Sequence, residues 1–138
     1  MTLIDNGLVV DGTGAPGFRG GVVVEGDCIV DLLREGEARP EGCERIDAGG
    51  SFVTPGFIDF HSHSDAYLVL EPSAPSKVAQ GVTTEVNGQC GGSAAPRYGE
   101  ARLSSDWAAV LGERLTWRSF AEYREALEAA KPDRKSVV

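Results

Sequence analysis

The chain has 138 residues, of which 41% are hydrophobic and 25% are charged, a length and composition that allow a buried core and exclude a disordered polymer. Its net charge of -8, without a cluster of lysine and arginine to offset it, excludes nucleic acid as an expected partner. No apolar run approaches the roughly 20 residues that span a bilayer, and the first residues lack the pattern of a signal peptide, so we predict no membrane partner and a cytoplasmic location.

Short β-branched runs separated by Gly, Pro and Asp indicate that residues 1–55 form a β-rich segment. Two of these runs flank Gly26 and Asp27, and a two-residue connection between apolar runs is typical of a tight β-hairpin. The predicted strands include Leu8–Val10, Val22–Val24, Ile29–Val30 and Glu44–Ala48.

The pattern changes after Gly56, where Phe57–His61 forms a dense apolar run. Such a run predicts a strand that is buried on both faces. Ser76–Gln80 is a short helical candidate, and Val82–Val86 is the next predicted strand. Strand, helix and strand in this order predict a parallel βαβ unit.

A loop over Gly88–Gly99 precedes a helical region, which is clearest over Ser119–Ala130. Ser119 and Glu122 have the spacing of a capping box at the start of this helix. Apolar residues recur along it at helical spacing and predict a face that covers another surface. These residues are Phe120, Tyr123, Leu127 and Ala130.

The two histidines of the chain lie close together in the segment Asp59–His63. The two-residue period of a strand places Asp59, His61 and His63 on one face, so the two imidazoles can converge on one metal ion. Asp59 could then accept a hydrogen bond from the histidine ring nitrogen that does not bind the metal. An isolated His-X-His pair is a weak signal, and solvated loop histidines are the alternative. The position at the end of a predicted buried strand favours metal binding.

Cysteine usage argues against disulfides, because the three cysteines are an odd number without CxxC spacing. Cys90 follows the second predicted strand among glycines that let the backbone approach a ligand, and its thiolate could bind a metal. Taken alone, it is better interpreted as a small buried hydrophobe, which is also our interpretation of Cys28 and Cys43. Asp65 continues the alternation of the histidines, but we expect a solvated loop residue or a helix cap there.

Two longer sequence segments around these residues resemble those of a known family. Pro55–His63, PGFIDFHSH, resembles the PGxIDxHxH segment of the amidohydrolase superfamily, and Gln80–Pro96 resembles its D-aminoacylase branch through GVTT, NCG-like and SxAP elements. The resemblance implies an α/β fold. Residues 1–55 would form part of a small β-sandwich, and residues 56–138 the first strands of a metal-dependent (β/α)8 or TIM barrel, incomplete in this chain.

The resemblance also implies a hydrolase of carbon–nitrogen bonds other than peptide bonds, an N-acyl-D-amino-acid deacylase whose partner is the small-molecule substrate. By the same resemblance His61, His63 and Cys90 are metal residues, with Cys90 bridging metal positions, and the cofactor is Zn²⁺ as one or two ions. The family's later histidine ligands and catalytic aspartate have no counterpart here. No catalytic residue is therefore assigned, and we expect this fragment to be inactive.

Two alternatives stay open. One is a cyclic-amide hydrolase of the same superfamily, hydantoinase-like or dihydroorotase-like, against which Cys90 argues. The other is a non-catalytic metal-binding fragment, favoured if 138 residues are the mature product. The tail Asp133–Val138 does not resemble the family's continuation and predicts a truncated or mis-assembled reading frame, with a native frayed tail as the other interpretation.

Overall fold

The chain divides into two compact units, the first over Met1–Pro55 and the second from Gly56 onward. The structure, a computed structural model, describes residues 1–103 and 105–131, so the tail Asp133–Val138 lies outside it. No described helix combines the length and the apolar character that crossing a bilayer requires. The strands are β1 (Thr2–Val9), β2 (Phe18–Glu25), β3 (Cys28–Arg34), β4 (Glu44–Asp47), β5 (Phe52–Val53), β6 (Phe57–Asp59) and β7 (Val82–Glu85). The helices are α1 (Tyr67–Leu70), α2 (Pro75–Val78), α3 (Ser105–Leu111) and α4 (Phe120–Ala130).

Strand β1 is the centre of the sheet in the first unit. It pairs antiparallel with β2, which pairs antiparallel with β3, while β4 and β5 lie parallel to β1, one after the other. Glu25 pairs with Cys28 across the connection, and Gly26 has a positive φ of 60°, which glycine adopts without steric cost. The predicted hairpin is therefore confirmed, as is the β-rich character of this segment.

A small apolar cluster of Leu3, Val23 and Leu33 is buried in this unit, and Cys43 packs against it. The prediction of an inert, packed cysteine is thus confirmed for Cys43. It is wrong for Cys28, whose side chain is exposed because Cys28 is the first residue of β3 and lies next to the hairpin turn.

Asp5 is the buried charge of the first unit, with 2% of its surface exposed. Arg39 Nη2 lies 3.0 Å from Asp5 Oδ1, and Arg45 donates to the other carboxylate oxygen. The Arg39 hydrogen bond, supported by Asn6 N–H and Arg45, lowers the pKa of Asp5 although burial raises it. The carboxylate therefore ties β1 to β4 and to the segment that precedes β4.

In the second unit, β6 and β7 form a parallel pair, with α1 and α2 between them along the chain. The predicted βαβ unit is confirmed. The two strands approach so closely at their start that a Cβ on Gly56 would stand 2.1 Å from Thr83 Oγ1. This contact explains why a glycine precedes β6.

The apolar residues around β6 are exposed, so the prediction of a strand buried on both faces is wrong. Phe57, Ile58 and Phe60 expose 56%, 65% and 75% of their surface. The strand is also shorter than predicted, since it ends at Asp59. The physical reason is that β6 pairs with β7 alone in the described part of the chain, and its other edge has no described neighbour.

The core of the second unit combines residues of α1, α3 and α4 with residues of the connecting loops. Helix α4 begins after Ser119 with the predicted capping box, in which Glu122 N donates to Ser119 Oγ at 3.2 Å and Ser119 N donates to the Glu122 carboxylate at 2.8 Å. Its buried residues Tyr123 and Leu127 pack with Trp117. The same buried cluster contains Ala66, Leu68, Ala74, Ala94, Ala95 and Leu111.

We expect Asp5→Asn to lower the free energy of unfolding by about 1–3 kcal/mol at about pH 7, because an amide accepts weaker hydrogen bonds from guanidinium groups than a carboxylate does. Since the folded pKa of Asp5 lies below its unfolded value, the carboxylate stabilises the fold above about pH 4 and loses this effect as the pH falls through the folded pKa. Urea unfolding of both proteins at about pH 7 and about pH 3 measures the difference. An equally large difference at both pH values contradicts the prediction.

Candidate metal centre

The two histidines follow β6 in a segment that bends at Phe60 and His61. Ser62 N donates to Val86 O at 3.1 Å, and Val86 N donates to Asp59 O at 2.8 Å, so the pairing with the second strand continues past β6 and β7. Ser62 is buried, while His61 and His63 on either side of it are exposed. His61 and His63 thus flank a buried Ser62, and the centroids of their imidazole rings lie 5.4 Å apart. The strict alternation predicted from the two-residue period is wrong for the other two positions, since Phe60 is 75% exposed and the Asp59 side chain meets the same Lys77 ammonium as Ser62.

Cys90 lies in a tight turn after β7. It has φ 56° and ψ 23°, between Gly88 and Gly91, whose φ angles are 79° and 73°. Left-handed backbone costs a non-glycine residue about 1–2 kcal/mol, so the surrounding contacts must hold Cys90 in this conformation. The turn brings Cys90 Sγ to 3.4 Å from His61 Nε2.

His61, His63 and Cys90 form one cluster of metal-ligating atoms at the carboxyl ends of the two parallel strands. Their ligand atoms all lie within 4.8 Å of one another, and all three side chains are exposed. Donor atoms on a tetrahedral Zn²⁺ ion lie roughly 3.3–3.8 Å apart, as follows from Zn–N and Zn–S bond lengths. The observed spacing is therefore close to that of a zinc site, and two imidazoles with a thiolate are a donor set that zinc prefers.

Lys77 of α2 lies behind this cluster and connects both strands. Its Nζ is 2.6 Å from Asp59 Oδ2, 3.0 Å from Glu85 Oε1 and 3.0 Å from Ser62 Oγ. Burial lowers the pKa of Lys77, but the hydrogen bonds to the Asp59 and Glu85 carboxylates outweigh it and raise the pKa above its ordinary value. Lys77 is therefore a cation that offsets part of the negative charge of the two carboxylates.

Asp59 supports the histidines in a different way from the one expected. Its Oδ1 accepts a hydrogen bond from the backbone N–H of His61 at 3.2 Å, and its Oδ2 binds Lys77. Among the described contacts, Asp59 thus holds the chain of His61 and not an imidazole nitrogen. The Lys77 hydrogen bond, followed by that from His61, lowers the pKa of Asp59, which stays ionised.

Glu85 and Lys77 were not singled out by the sequence. Glu85 is 5% exposed, and its Oε1 also accepts from Ser64 Oγ at 3.2 Å. The only local signal for it is a carboxylate inside the β-branched run of β7. Nothing in the local sequence distinguishes Lys77 from a surface lysine, because its partners come from two other elements.

Asp65 is buried, with 4% of its surface exposed, so the expectation of a solvated aspartate or helix cap is wrong. Its Oδ1 accepts from Gly88 N at 2.9 Å and from Ala94 N at 3.4 Å, while its Oδ2 is buried and has no partner among the described residues. The chain turns inward after His63, which places this carboxylate under the Cys90 turn.

Comparison with known proteins places these residues in a family. Residues 44–138, which include the whole metal-ligand cluster, match the Amidohydrolase family. The chain belongs to this family. Among the relatives of this amidohydrolase are two proteins of Alcaligenes xylosoxydans xylosoxydans: N-acyl-D-glutamate deacylase, 40% identical over 94% of this chain, and N-acyl-D-aspartate deacylase, 44% identical over 92%. The chain spans about a quarter of their length, namely 26% and 24%.

Solved structures show the same relation. The amidohydrolase chain matches a crystal structure of D-aminoacylase with a TM-score of 0.81 and 38% identity, over 98% of this chain and 28% of the other. It also matches an N-acyl-D-glutamate deacylase from Bordetella bronchiseptica, complexed with zinc and a phosphonate inhibitor, with a TM-score of 0.81 and 37% identity over 99% and 28% of the two chains. The predicted α/β fold class, shared with D-aminoacylase, is confirmed.

We expect Lys77→Met to lower the free energy of unfolding of this amidohydrolase by about 3 kcal/mol, because the nearly buried Glu85 carboxylate would lose its cation. The double variant Lys77→Met/Glu85→Gln should recover part of the loss, since the uncompensated charge is then removed as well. Urea unfolding at neutral pH measures both effects.

The matched control for this prediction is Arg124→Met. Arg124 Nε lies 3.5 Å from Glu128 Oε1 in an exposed pair on α4, and such pairs contribute little. A loss in Lys77→Met no greater than in Arg124→Met, or a double variant less stable than Lys77→Met, would contradict the central role of Lys77.

Proposed function

We propose that this chain carries the first metal ligands of a zinc-dependent hydrolase that cleaves the amide of N-acyl-D-amino acids. The observation that carries the proposal is the cluster of His61, His63 and Cys90, whose ligand atoms lie within 4.8 Å of one another. It stands in a chain that is 40% identical to an N-acyl-D-glutamate deacylase over 133 residues.

The donor set fits Zn²⁺ in chemistry as well as in spacing. His61 and His63 offer neutral nitrogen ligands, and Cys90 offers an anionic sulfur that partly neutralises the ion. The three groups are exposed, while Lys77 pairs with Asp59 and Glu85 behind them. Bound zinc supplies two things to amide hydrolysis, a Lewis acid for the carbonyl oxygen and a lower pKa of water.

The residues around the cluster have supporting roles. Asp59 fixes the backbone of His61, and Lys77 fixes Asp59, so the first histidine is held by a chain of charged hydrogen bonds. Gly88 and Gly91 permit the left-handed turn that presents the Cys90 sulfur. We assign no catalytic base within the chain. The remaining ligands, the proton-transferring aspartate and the rest of a (β/α)8 barrel are proposed to belong to the complete enzyme.

The substrate class rests on the relatives. The two Alcaligenes proteins and D-aminoacylase all carry names of N-acyl-D-amino-acid deacylases. The cyclic-amide alternative is not favoured, because the deacylases match 92–94% of the chain. A small-molecule N-acyl-D-amino acid is therefore the proposed partner, and the cytoplasm stays the predicted location.

The test of the function is the effect of Cys90→Ala on the natural gene product. We expect at least about a 100-fold loss of N-acetyl-D-amino-acid hydrolysis together with a lower zinc content, because removing a direct ligand costs more than the 10–100-fold typical of residues behind the ligands. Steady-state kinetics and elemental analysis measure the two effects.

Cys28→Ala is the matched control, since Cys28 is also exposed but stands in the first unit, and it should retain activity and zinc. Wild-type activity and zinc content in Cys90→Ala would refute the ligand role of Cys90. Zinc binding by wild-type protein without hydrolysis of any N-acyl-D-amino acid would instead favour the non-catalytic alternative.

A further inference from the structure

We propose that Asp65 is a positioning residue, which fixes the Cys90 turn (residues 88–94) at the distance from the histidines that metal binding needs. This inference rests on the proposed function, because the turn needs fixing only if Cys90 binds a metal. It extends that function to a residue that binds neither metal nor substrate.

The geometry consists of one carboxylate oxygen that holds both ends of the turn. Asp65 Oδ1 accepts from Gly88 N at 2.9 Å and from Ala94 N at 3.4 Å. Cys90 lies between these two amides. With both ends on one acceptor, the turn cannot widen or slide without breaking a hydrogen bond to a buried oxygen.

Asp65 also connects the turn to the histidines. It follows His63 by two residues, so the carboxylate that holds the Cys90 turn is covalently tied to the segment carrying the other two ligands. The distance between the Cys90 sulfur and the imidazole nitrogens is therefore set by a short connection, which runs from His63 along the chain to Asp65 and through its hydrogen bonds to the turn. Burial strengthens the hydrogen bonds of Asp65, because its carboxylate is only 4% exposed and little water competes for it.

The helical core holds Asp65 and the turn from behind. Tyr123 of α4 donates its hydroxyl hydrogen to the backbone carbonyl of Asp65, and Trp117 Nε1 donates to Ala94 O at 2.9 Å. Both aromatic side chains are fully buried. A left-handed Cys90 persists only if its surroundings impose that conformation, and these contacts together with Asp65 Oδ1 contribute to it.

The experiment compares cobalt binding by the natural gene product and two variants that separate charge from position. Asp65→Asn keeps an acceptor oxygen at the same place without the charge, and Asp65→Glu keeps the charge but moves the oxygens by one methylene. The near-ultraviolet charge-transfer band between thiolate and Co²⁺ reports ligation by Cys90. We expect Asp65→Asn to retain the band and the cobalt affinity, and Asp65→Glu to bind cobalt 10–100-fold more weakly, as is typical for residues behind metal ligands.

Asp5→Asn is the control for a general loss of stability. Asp5 is as deeply buried as Asp65 but lies in the first unit, so its loss should destabilise the protein without changing the cobalt band. Circular dichroism verifies that each variant is folded, and Asp65→Ala replaces Asp65→Glu if the longer side chain prevents folding.

The outcomes separate the inference from the function on which it rests. No thiolate band in wild-type protein would overturn the proposed function itself. A wild-type band that Asp65→Glu or Asp65→Ala leaves unchanged overturns the positioning role and leaves the function standing. A folded Asp65→Asn without the band also overturns it, since the acceptor would then not be what holds the turn.

Discussion

The parallel pairing of β6 with β7 is the constraint on which the site depends. Parallel strands end at the same edge of a sheet, so residues that follow them meet there even when they are distant in sequence. His61 and Cys90 are 29 residues apart and come within 3.4 Å. Neither segment alone supplies more than two members of the cluster. The pairing, and the glycine at position 56 that lets the strands approach, turn two weak local signals into one cluster.

The candidate metal donors of this unit and its ion pairs lie in two different places. Donors that suit a soft cation lie exposed at the strand ends, whereas Asp59, Lys77 and Glu85 form a compensated network behind them. The cost of burying Glu85 is offset in part by the Lys77 cation and by the hydrogen bond from Ser64. Because Asp59 also holds the backbone of His61, the same network that stabilises the strands orients a candidate ligand.

The backbone differs between the two parts of the metal-ligand cluster. The histidines follow β6 without left-handed backbone, while Cys90 has φ 56° and ψ 23°. Strain of this kind concentrates where function needs a side chain in one place. Tyr123 of α4, Trp117 and the buried Asp65 make the contacts that we propose hold the Cys90 turn beside the histidines. The similarity of this chain to N-acyl-D-amino-acid deacylases thus includes residues with a definite structural role.

Sequence alone determined the features that arise from neighbouring residues. The hairpin at Gly26 and the capping box at Ser119 depend on turn and capping chemistry, which act within a few residues. Tertiary structure decided the burial of Asp65, the exposure of Phe60 and the partners of Lys77. Each of these depends on which distant segments pack beside the residue, and no local pattern records that. The sequence could therefore suggest candidate ligands, but only the packing of β6, β7 and the helices decided how these side chains are held.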